Sequence, residues 1–164
     1  MTARRASGNV ALETALFIPI LLLLIVGTVQ IGKLAYLDYT LRKIVYAAAR
    51  QVAVQQSINF CDVADDQTAQ TALNFALNDT TGTPIVANLT ALQLTTQCTD
   101  PNNLGGAMIP CDTSNCDSLT VAGRPDFVTV SIPNGYVVNV LIPFLSPIPI
   151  TLNPSVTVPF GGVS

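Results

Sequence analysis

Hydrophobic positions follow three patterns along the chain, and the first is an unbroken apolar run. The nineteen residues from Thr14 to Gly32 carry no charge and contain four consecutive leucines followed by Ile25 and Val26. At about 1.5 Å per helical residue, such a segment spans ~28 Å, close to the ~30 Å hydrocarbon core of a bilayer. The run predicts a membrane-spanning helix over residues 14–32.

Two alternatives to a retained anchor are a buried helix of a soluble protein and a cleaved signal peptide. The apolar region of a signal peptide usually has 7–15 residues and ends at a small-residue cleavage site. This run is longer, and it continues into Gln30-Ile31-Gly32-Lys33 with no break in the helical pattern. We therefore expect the helix to stay attached to the protein.

The second pattern is a helical stripe beyond the apolar run. Apolar residues recur there at steps of three and four, at Leu34, Leu37, Leu41, Ile44, Val45, Ala48 and Val52. Together the two patterns predict one helix from about Val10 to Ser57, ~70 Å long. Asp38 and Arg42 have the spacing of an ion pair on its flank. Tyr36 and Tyr39 suit either a membrane-interface belt or core packing.

The third pattern, after a short helix, alternates with period two. The short helix is predicted over Asp65–Leu77 and stops at residues 78–82. The predicted strands are Leu89–Thr96, Leu119–Ala122, Phe127–Ile132, Tyr136–Ile142 and Ile150–Val158. Pro133-Asn134-Gly135 is a hairpin signal, and the many later prolines favour edge strands and loops. The predicted fold class is α+β, a long N-terminal helix packed against a small antiparallel β-sheet.

Composition narrows the classes of function. Only 10% of residues are charged, against roughly 25% in an average soluble domain, and 49% are hydrophobic. Residues 51–164 hold eight Asp and one basic residue, Arg124, so nucleic acid is excluded as a partner on charge. The chain has no His, which removes His-based catalysis and His-ligated metals. With no nucleophile–base set, phosphate loop or metal-ligand cluster, we expect no enzyme, no cofactor and no small-molecule substrate.

The four cysteines all follow the predicted membrane helix. Cys61, Cys98, Cys111 and Cys116 are an even number, which suits disulfides in an oxidising compartment. Arg4 and Arg5 likewise favour a cytoplasmic N-terminus, although Lys33 and other basic residues follow the far end. Of three possible pairings we favour Cys111–Cys116 with Cys61–Cys98. A four-cysteine zinc site is the alternative, but it normally shows two closely spaced pairs.

The residues before the apolar run resemble the cleavage signal of type IV prepilins. A basic leader, Arg4-Arg5, is followed by Gly8, and Glu13 stands five residues after that Gly. The resemblance implies that a prepilin peptidase cuts between Gly8 and Asn9 on the cytoplasmic face. Residues 1–8 would then be a cleaved leader, residues 9–57 the long helix, and residues 58–164 an extracytoplasmic α+β domain with disulfides.

A more specific resemblance is to TadE-like proteins, the pseudopilins of tight-adherence (Flp-type) pilus systems. Glu13, an apolar stretch, Pro19 six residues later and the leucine run keep the spacing of that family, and the resemblance covers roughly residues 4–55. It implies a single-pass protein of a bacterial inner membrane that helps to assemble an adhesive pilus. Its implied partners are other pilin or pseudopilin subunits, prepilin peptidase and inner-membrane lipid.

Glu13 also has a physical argument of its own. A carboxylate at the edge of a lipid helix costs about 2–3 kcal/mol and needs a partner. The free amine that cleavage creates on Asn9 of a neighbouring subunit would supply one. The alternative is that Glu13 only marks the membrane edge and reaches to water. The alternative function is a membrane-anchored extracytoplasmic binding module that never polymerises.

Overall fold

The N-terminal part of the chain is one long helix. A computed structural model describes residues 3–55, 58, 66–98, 107–111, 125–143 and 146–161. Helix α1 runs without interruption over Ala3–Ala53, 51 residues, and includes Pro19. It starts earlier and ends earlier than the predicted Val10–Ser57, and Ser57 itself lies outside the described residues. The predicted long helix is confirmed.

Contacts divide the chain into two units. One unit comprises Met1–Tyr36 and Val137–Thr151, and the other comprises Leu37–Tyr136 and Leu152–Ser164. Helix α1 therefore contributes its first part to one unit and its last part to the other. We refer to them as the anchor unit and the outer unit.

The outer unit has a helix-on-sheet core built on the predicted stripe of α1. Leu41, Val45 and Val52 of α1 and Val128 and Val130 of the sheet are all fully buried. Each such side chain contributes about 1.5–3 kcal/mol when it is taken fully out of water. The stripe at steps of three and four is thus the face that holds α1 in the outer unit.

Helix α2, Gln67–Leu77, adds a second apolar face to this core. Its buried residues recur at steps of three and four and form one face: Ala69, Ala72, Leu73, Ala76 and Leu77. Asp66 is the N-cap, and its carboxylate accepts a hydrogen bond from the backbone N–H of Ala69 at 2.8 Å. The helix stops at Asn78, where the predicted stop signal begins.

The outer unit contains a four-stranded antiparallel sheet with strand order β2-β1-β3-β6. Its strands are β1 Gln93–Cys98, β2 Ile109–Pro110, β3 Phe127–Ser131 and β6 Ser155–Pro159. Alternate residues of β1 and β3 are buried, as the period-two pattern predicts. The α+β class with a small antiparallel sheet is confirmed.

Strand boundaries differ most from the prediction at two predicted strands, while β3 and β4 (Tyr136–Val140) begin as predicted and end one and two residues early. The predicted strand Leu89–Thr96 begins and ends later, as β1. The predicted strand Ile150–Val158 is two strands, β5 Ile148–Leu152 and β6, which belong to different sheets. Asn153-Pro154 separates them, because Pro cannot donate to a ladder. The predicted strand Leu119–Ala122 lies outside the described residues.

The predicted hairpin at Pro133-Asn134-Gly135 was wrong in its pairing. The tight turn itself forms: Asn134 and Gly135 have φ of 61° and 72°, and the Gly135 N–H donates to Ile132 O at 3.1 Å. However, β1 and β6 already occupy both edges of β3. Strand β4, Tyr136–Val140, therefore pairs with β5 in a separate two-stranded sheet. Only seven residues join β4 to β5, which is too few for a parallel crossover, so this pair is a hairpin.

Candidate membrane and assembly site

The stretch of α1 from residue 10 to residue 25 is exposed at every position. Eleven of these side chains are large and apolar, and Leu12, Leu16, Phe17 and Leu24 each expose about two-thirds of their surface. The most apolar 18-residue window of α1 has a mean hydropathy of 2.5, and none of it is buried. By length and composition, α1 can cross a membrane.

The hydroxyl groups of Thr14 and Thr28, both in the apolar run, are paired within the helix. The Thr14 hydroxyl donates to Val10 O at 2.8 Å, and the Thr28 hydroxyl donates to Ile25 O at 2.8 Å and to Leu24 O at 3.0 Å. A hydroxyl that is bonded to its own helix can enter hydrocarbon without an unsatisfied donor. Thr14 and Thr28 are therefore compatible with lipid on all sides.

Glu13 lies directly before the apolar run, which begins at Thr14, and is exposed. In the portion of the chain that the structure covers, no ion pair involves Glu13. Gly8 and Asn9 belong to the helical backbone of α1, and the side chain of Asn9 lies outside the described part of the chain. Pro19 follows Glu13 by six residue steps along the helix, a rise of ~9 Å and a rotation of about 240°, so the two face different directions. The structure places the predicted assembly residues along one helix and does not cluster them.

Where the apolar run ends, Tyr36 and Tyr39 expose 69% and 67% of their surface. Core packing, one of their two predicted roles, is therefore ruled out by the structure. The predicted ion pair next to them is confirmed, since Arg42 Nε lies 2.9 Å from Asp38 Oδ2. Two aromatic rings and a charged pair follow directly after Lys33, which is the order of residue types found at a membrane–water boundary.

The anchor unit contains a feature that sequence reasoning missed. Gly27, Gln30 and Leu34 are half-buried, unlike the residues before Val26. They face the β4–β5 hairpin across an apolar cavity of about 240 Å³. The cavity is lined by Leu23, Val26, Gly27, Gln30, Ile31, Leu34, Val140, Leu141, Ile142, Pro143 and Ile150. The sequence held one indication that this region could lie beside an apolar helix, since residues 127–164 contain no charged residue.

The disulfide pairing differs from the one the sequence favoured. Cys98 is bonded to Cys111, with a Cα–Cα distance of 5.3 Å, so the pairs Cys111–Cys116 and Cys61–Cys98 were wrong. Strand pairing explains this: Cys98 lies opposite Ile109 in the β1–β2 ladder, and Cys111 follows β2 directly. The bond also removes the four-cysteine zinc alternative. Cys61 and Cys116 lie outside the described residues.

Residues 8–50 match the family model described as TadE-like protein. The resemblance is confirmed for this segment, which contains Gly8, Asn9, Glu13 and Pro19. Proteins of the TadE-like family are structural and are associated with Tad pilus systems. Neither a curated protein nor a solved structure matches the chain.

Proposed function

We propose that this chain is a pilin-like structural subunit that takes part in assembling an adhesive Tad pilus. One observation carries the proposal: the TadE-like match at residues 8–50 covers the exposed apolar stretch of α1 and continues into the stripe buried in the outer unit. The first part of the helix then serves as anchor and the second as the support of an outer domain. This division of one helix suits a subunit that is held in the membrane before it joins an assembly.

In the proposed orientation, the N-terminus lies in the cytosol of a bacterium and the outer unit lies beyond the inner membrane. Arg4 and Arg5 support this orientation through the positive-inside rule. The Cys98–Cys111 disulfide supports it independently, because disulfides persist in oxidising compartments and are rare in the cytosol.

Processing between Gly8 and Asn9 by a prepilin peptidase is part of the proposal. Replacing Gly8 with Leu should leave a precursor that is heavier by eight residues, which intact-mass measurement of the membrane-extracted protein resolves. Ala6→Leu, in the same leader, is the matched control and should be processed normally. If the unsubstituted protein keeps Arg4 and Arg5, the chain is a plain anchor and the non-polymerising binding module becomes the better account.

Glu13 is proposed to pair with the amine that cleavage creates on Asn9 of a neighbouring subunit. It is exposed and lies at the edge of the apolar run, where low dielectric strengthens such a pair. Without a charged partner, the Glu13 carboxylate at the edge of the lipid would cost about 2–3 kcal/mol. Only cleaved subunits would then associate well.

Co-purification from mild detergent tests this role. Glu13→Gln keeps the shape of the side chain and removes its charge, so recovery of other pilus subunits should fall while membrane insertion is unchanged or improved. Asp38→Asn is the matched control, because Asp38 lies on the same helix but already pairs with Arg42. Undiminished recovery with Glu13→Gln would show that this carboxylate only marks the membrane edge.

A further inference from the structure

The β4–β5 hairpin lies beside the second half of the apolar run. Within the anchor unit, Leu23, Gly27 and Ile31 of α1 form one wall of the 240 Å³ cavity, and Val140, Ile142 and Ile150 of the hairpin form the other. The hairpin is described over residues 137–143 and 146–151. Its neighbours on α1 are thus residues that the proposed function assigns to lipid.

The rise per residue of α1 gives the depth of this contact in the bilayer. Lys33 is the first charged residue after the run, and it marks the outer edge of the hydrocarbon. Ile31 lies ~3 Å below Lys33 along the axis, Gly27 ~9 Å and Leu23 ~15 Å. Because the hydrocarbon core is ~30 Å thick, hairpin residues that flank this stretch reach toward the middle of the bilayer.

The surface chemistry of the hairpin suits that depth. Val137, Leu141 and Ile148 expose 54%, 57% and 46% of their surface, and no residue from 127 to 164 is charged. Backbone donors are the other obstacle to lipid, since each unsatisfied N–H costs several kcal/mol there, of order the transfer cost of an amide. Pro143, Pro147 and Pro149 carry no N–H, and β4 pairs with β5. Both features reduce the number of unsatisfied donors.

We propose that the β4–β5 hairpin inserts into the outer half of the bilayer beside α1 and contacts lipid acyl chains. The protein would then hold the membrane at two places, by the helix and by the hairpin. The inference rests on the proposed membrane span of α1. A second copy of the chain covering the same apolar surface is the competing occupant, and the experiment separates the two.

The sequence offers a clean reporter, because it contains no Trp. Leu141→Trp and Ile148→Trp place a single Trp on the hairpin at exposed positions, so neither substitution opens a hole in the core. Leu24→Trp is the control inside the span, and Phe75→Trp, 67% exposed on α2, is the control in water. Each full-length variant is reconstituted in phosphatidylcholine vesicles with or without brominated acyl chains.

Brominated chains should quench both hairpin reporters nearly as strongly as Leu24→Trp and leave Phe75→Trp almost unchanged. Quenching of Leu24→Trp alone would overturn the hairpin inference and leave the anchor intact. Absence of quenching at all four positions would overturn the anchor itself. Hairpin emission that is shielded from water, unquenched by bromine and dependent on protein-to-lipid ratio would assign the surface to a second copy and also overturn the inference.

A second measurement needs no substitution on the hairpin. The unsubstituted protein in vesicles with photoactivatable acyl chains should form lipid adducts in chymotryptic peptides that contain residues 137–143, as well as in peptides from α1. Adducts restricted to α1 would contradict insertion of the hairpin.

Discussion

Residues 10–25 and residues 41–53 belong to the same helix and are both rich in apolar side chains, yet they differ in what covers them. Every residue from 10 to 25 is exposed, whereas Leu41, Val45, Ala48 and Val52 are fully buried. The difference follows from pattern and not from content. Apolar residues at steps of three and four form one face, which a sheet can cover. An apolar surface on all sides of a helix needs a surrounding medium such as lipid.

Charged residues show the same contrast. In the outer part of α1, Arg42, Lys43 and Arg50 occupy exposed positions between the buried ones. Between Thr14 and Gly32 no position is charged, although many are just as exposed. Exposure to water would tolerate charge at any of these sites. Because charged residues are completely absent from residues 14–32, we interpret this segment as surrounded by lipid, which does not accept charge.

The strongest way to break this comparison is to put charge on the exposed apolar stretch. Leu21→Lys with Leu24→Lys should cost about 5–7 kcal/mol in insertion, since each cation near the middle of a span costs about 2.5–3.5 kcal/mol. The variant should leave the membrane fraction on alkaline carbonate extraction. The control is Tyr46→Lys with Ala47→Lys, two exposed positions of the outer part, and it should stay membrane-bound. Equal retention of both variants would contradict the anchor.

Truncation of one leucine in each part should give losses of stability that differ greatly in size. Leu41→Ala removes a fully buried side chain and should lower the free energy of unfolding of the outer unit by about 2–5 kcal/mol. Leu24→Ala, at a position 66% exposed, should change it by less than ~0.5 kcal/mol. Urea unfolding in detergent, followed by circular dichroism, measures both. Similar losses would mean that Leu24 has a packing partner within the chain.

Local patterns predicted the elements better than their partners. The stripe of α1 and the face of α2 were predictable because helical period and burial have one solution on a single helix. Strand partners were not, because the Asn134-Gly135 turn specifies a reversal of direction and not which edge is still open. The sequence alone could not show that β6, which is distant along the chain, pairs with that edge of β3.

At the candidate site, too, local features were predicted from the sequence and long-range contacts were not. The apolar run and the Glu13–Pro19 spacing are local, so sequence alone identified them and the TadE-like match confirms the resemblance there. The cavity beside Gly27 requires residues more than a hundred positions apart, and no period or motif predicts such a contact. The prediction of the disulfide pairs was wrong for the same reason. The pairing of β1 with β2, and not closeness along the chain, brings Cys98 to Cys111.

The disulfide offers a third test, because it should matter to the outer unit alone. Replacing Cys98 and Cys111 together by Ser opens a bond of sequence separation 13 and should cost about 3 kcal/mol in unfolding free energy. Membrane retention should not change. Peptide mapping of the unsubstituted protein under non-reducing conditions should show no free thiol and a Cys98–Cys111 linkage. A peptide that links Cys98 to Cys61, or bound zinc, would contradict this arrangement.

A smaller effect is expected at the start of α2. Asp66→Ala removes the carboxylate that accepts from the Ala69 N–H and should cost about 1 kcal/mol in the outer unit. Asp66→Asn is the matched variant, because Asn caps helices about as well as Asp, and it should lose only a few tenths of this. Urea unfolding distinguishes the two. Equal losses would show that charge and not capping is what Asp66 supplies.

The smallest expected effect is an acid sensitivity that is confined to the outer unit. Asp79 is exposed, and its carboxylate accepts hydrogen bonds from the side chains and backbone N–H groups of Thr81 and Thr83, which hold its pKa well below the ordinary value. Because the folded pKa is depressed, this stabilisation is complete above the unfolded pKa of about 3.9 and is lost as pH falls toward the folded value.

Asp79→Asn should therefore flatten the dependence of unfolding free energy on pH below about 4, by an amount that stays small because the carboxylate is fully solvated. Thr81→Val with Thr83→Val removes the hydroxyl donors that contribute most to the shift and should flatten the same region while it keeps the carboxylate. Acid should leave membrane retention unchanged, since residues 14–32 contain no ionisable group. A pH profile that is identical in all three proteins would show that this turn contributes nothing to the difference between the two parts of the chain.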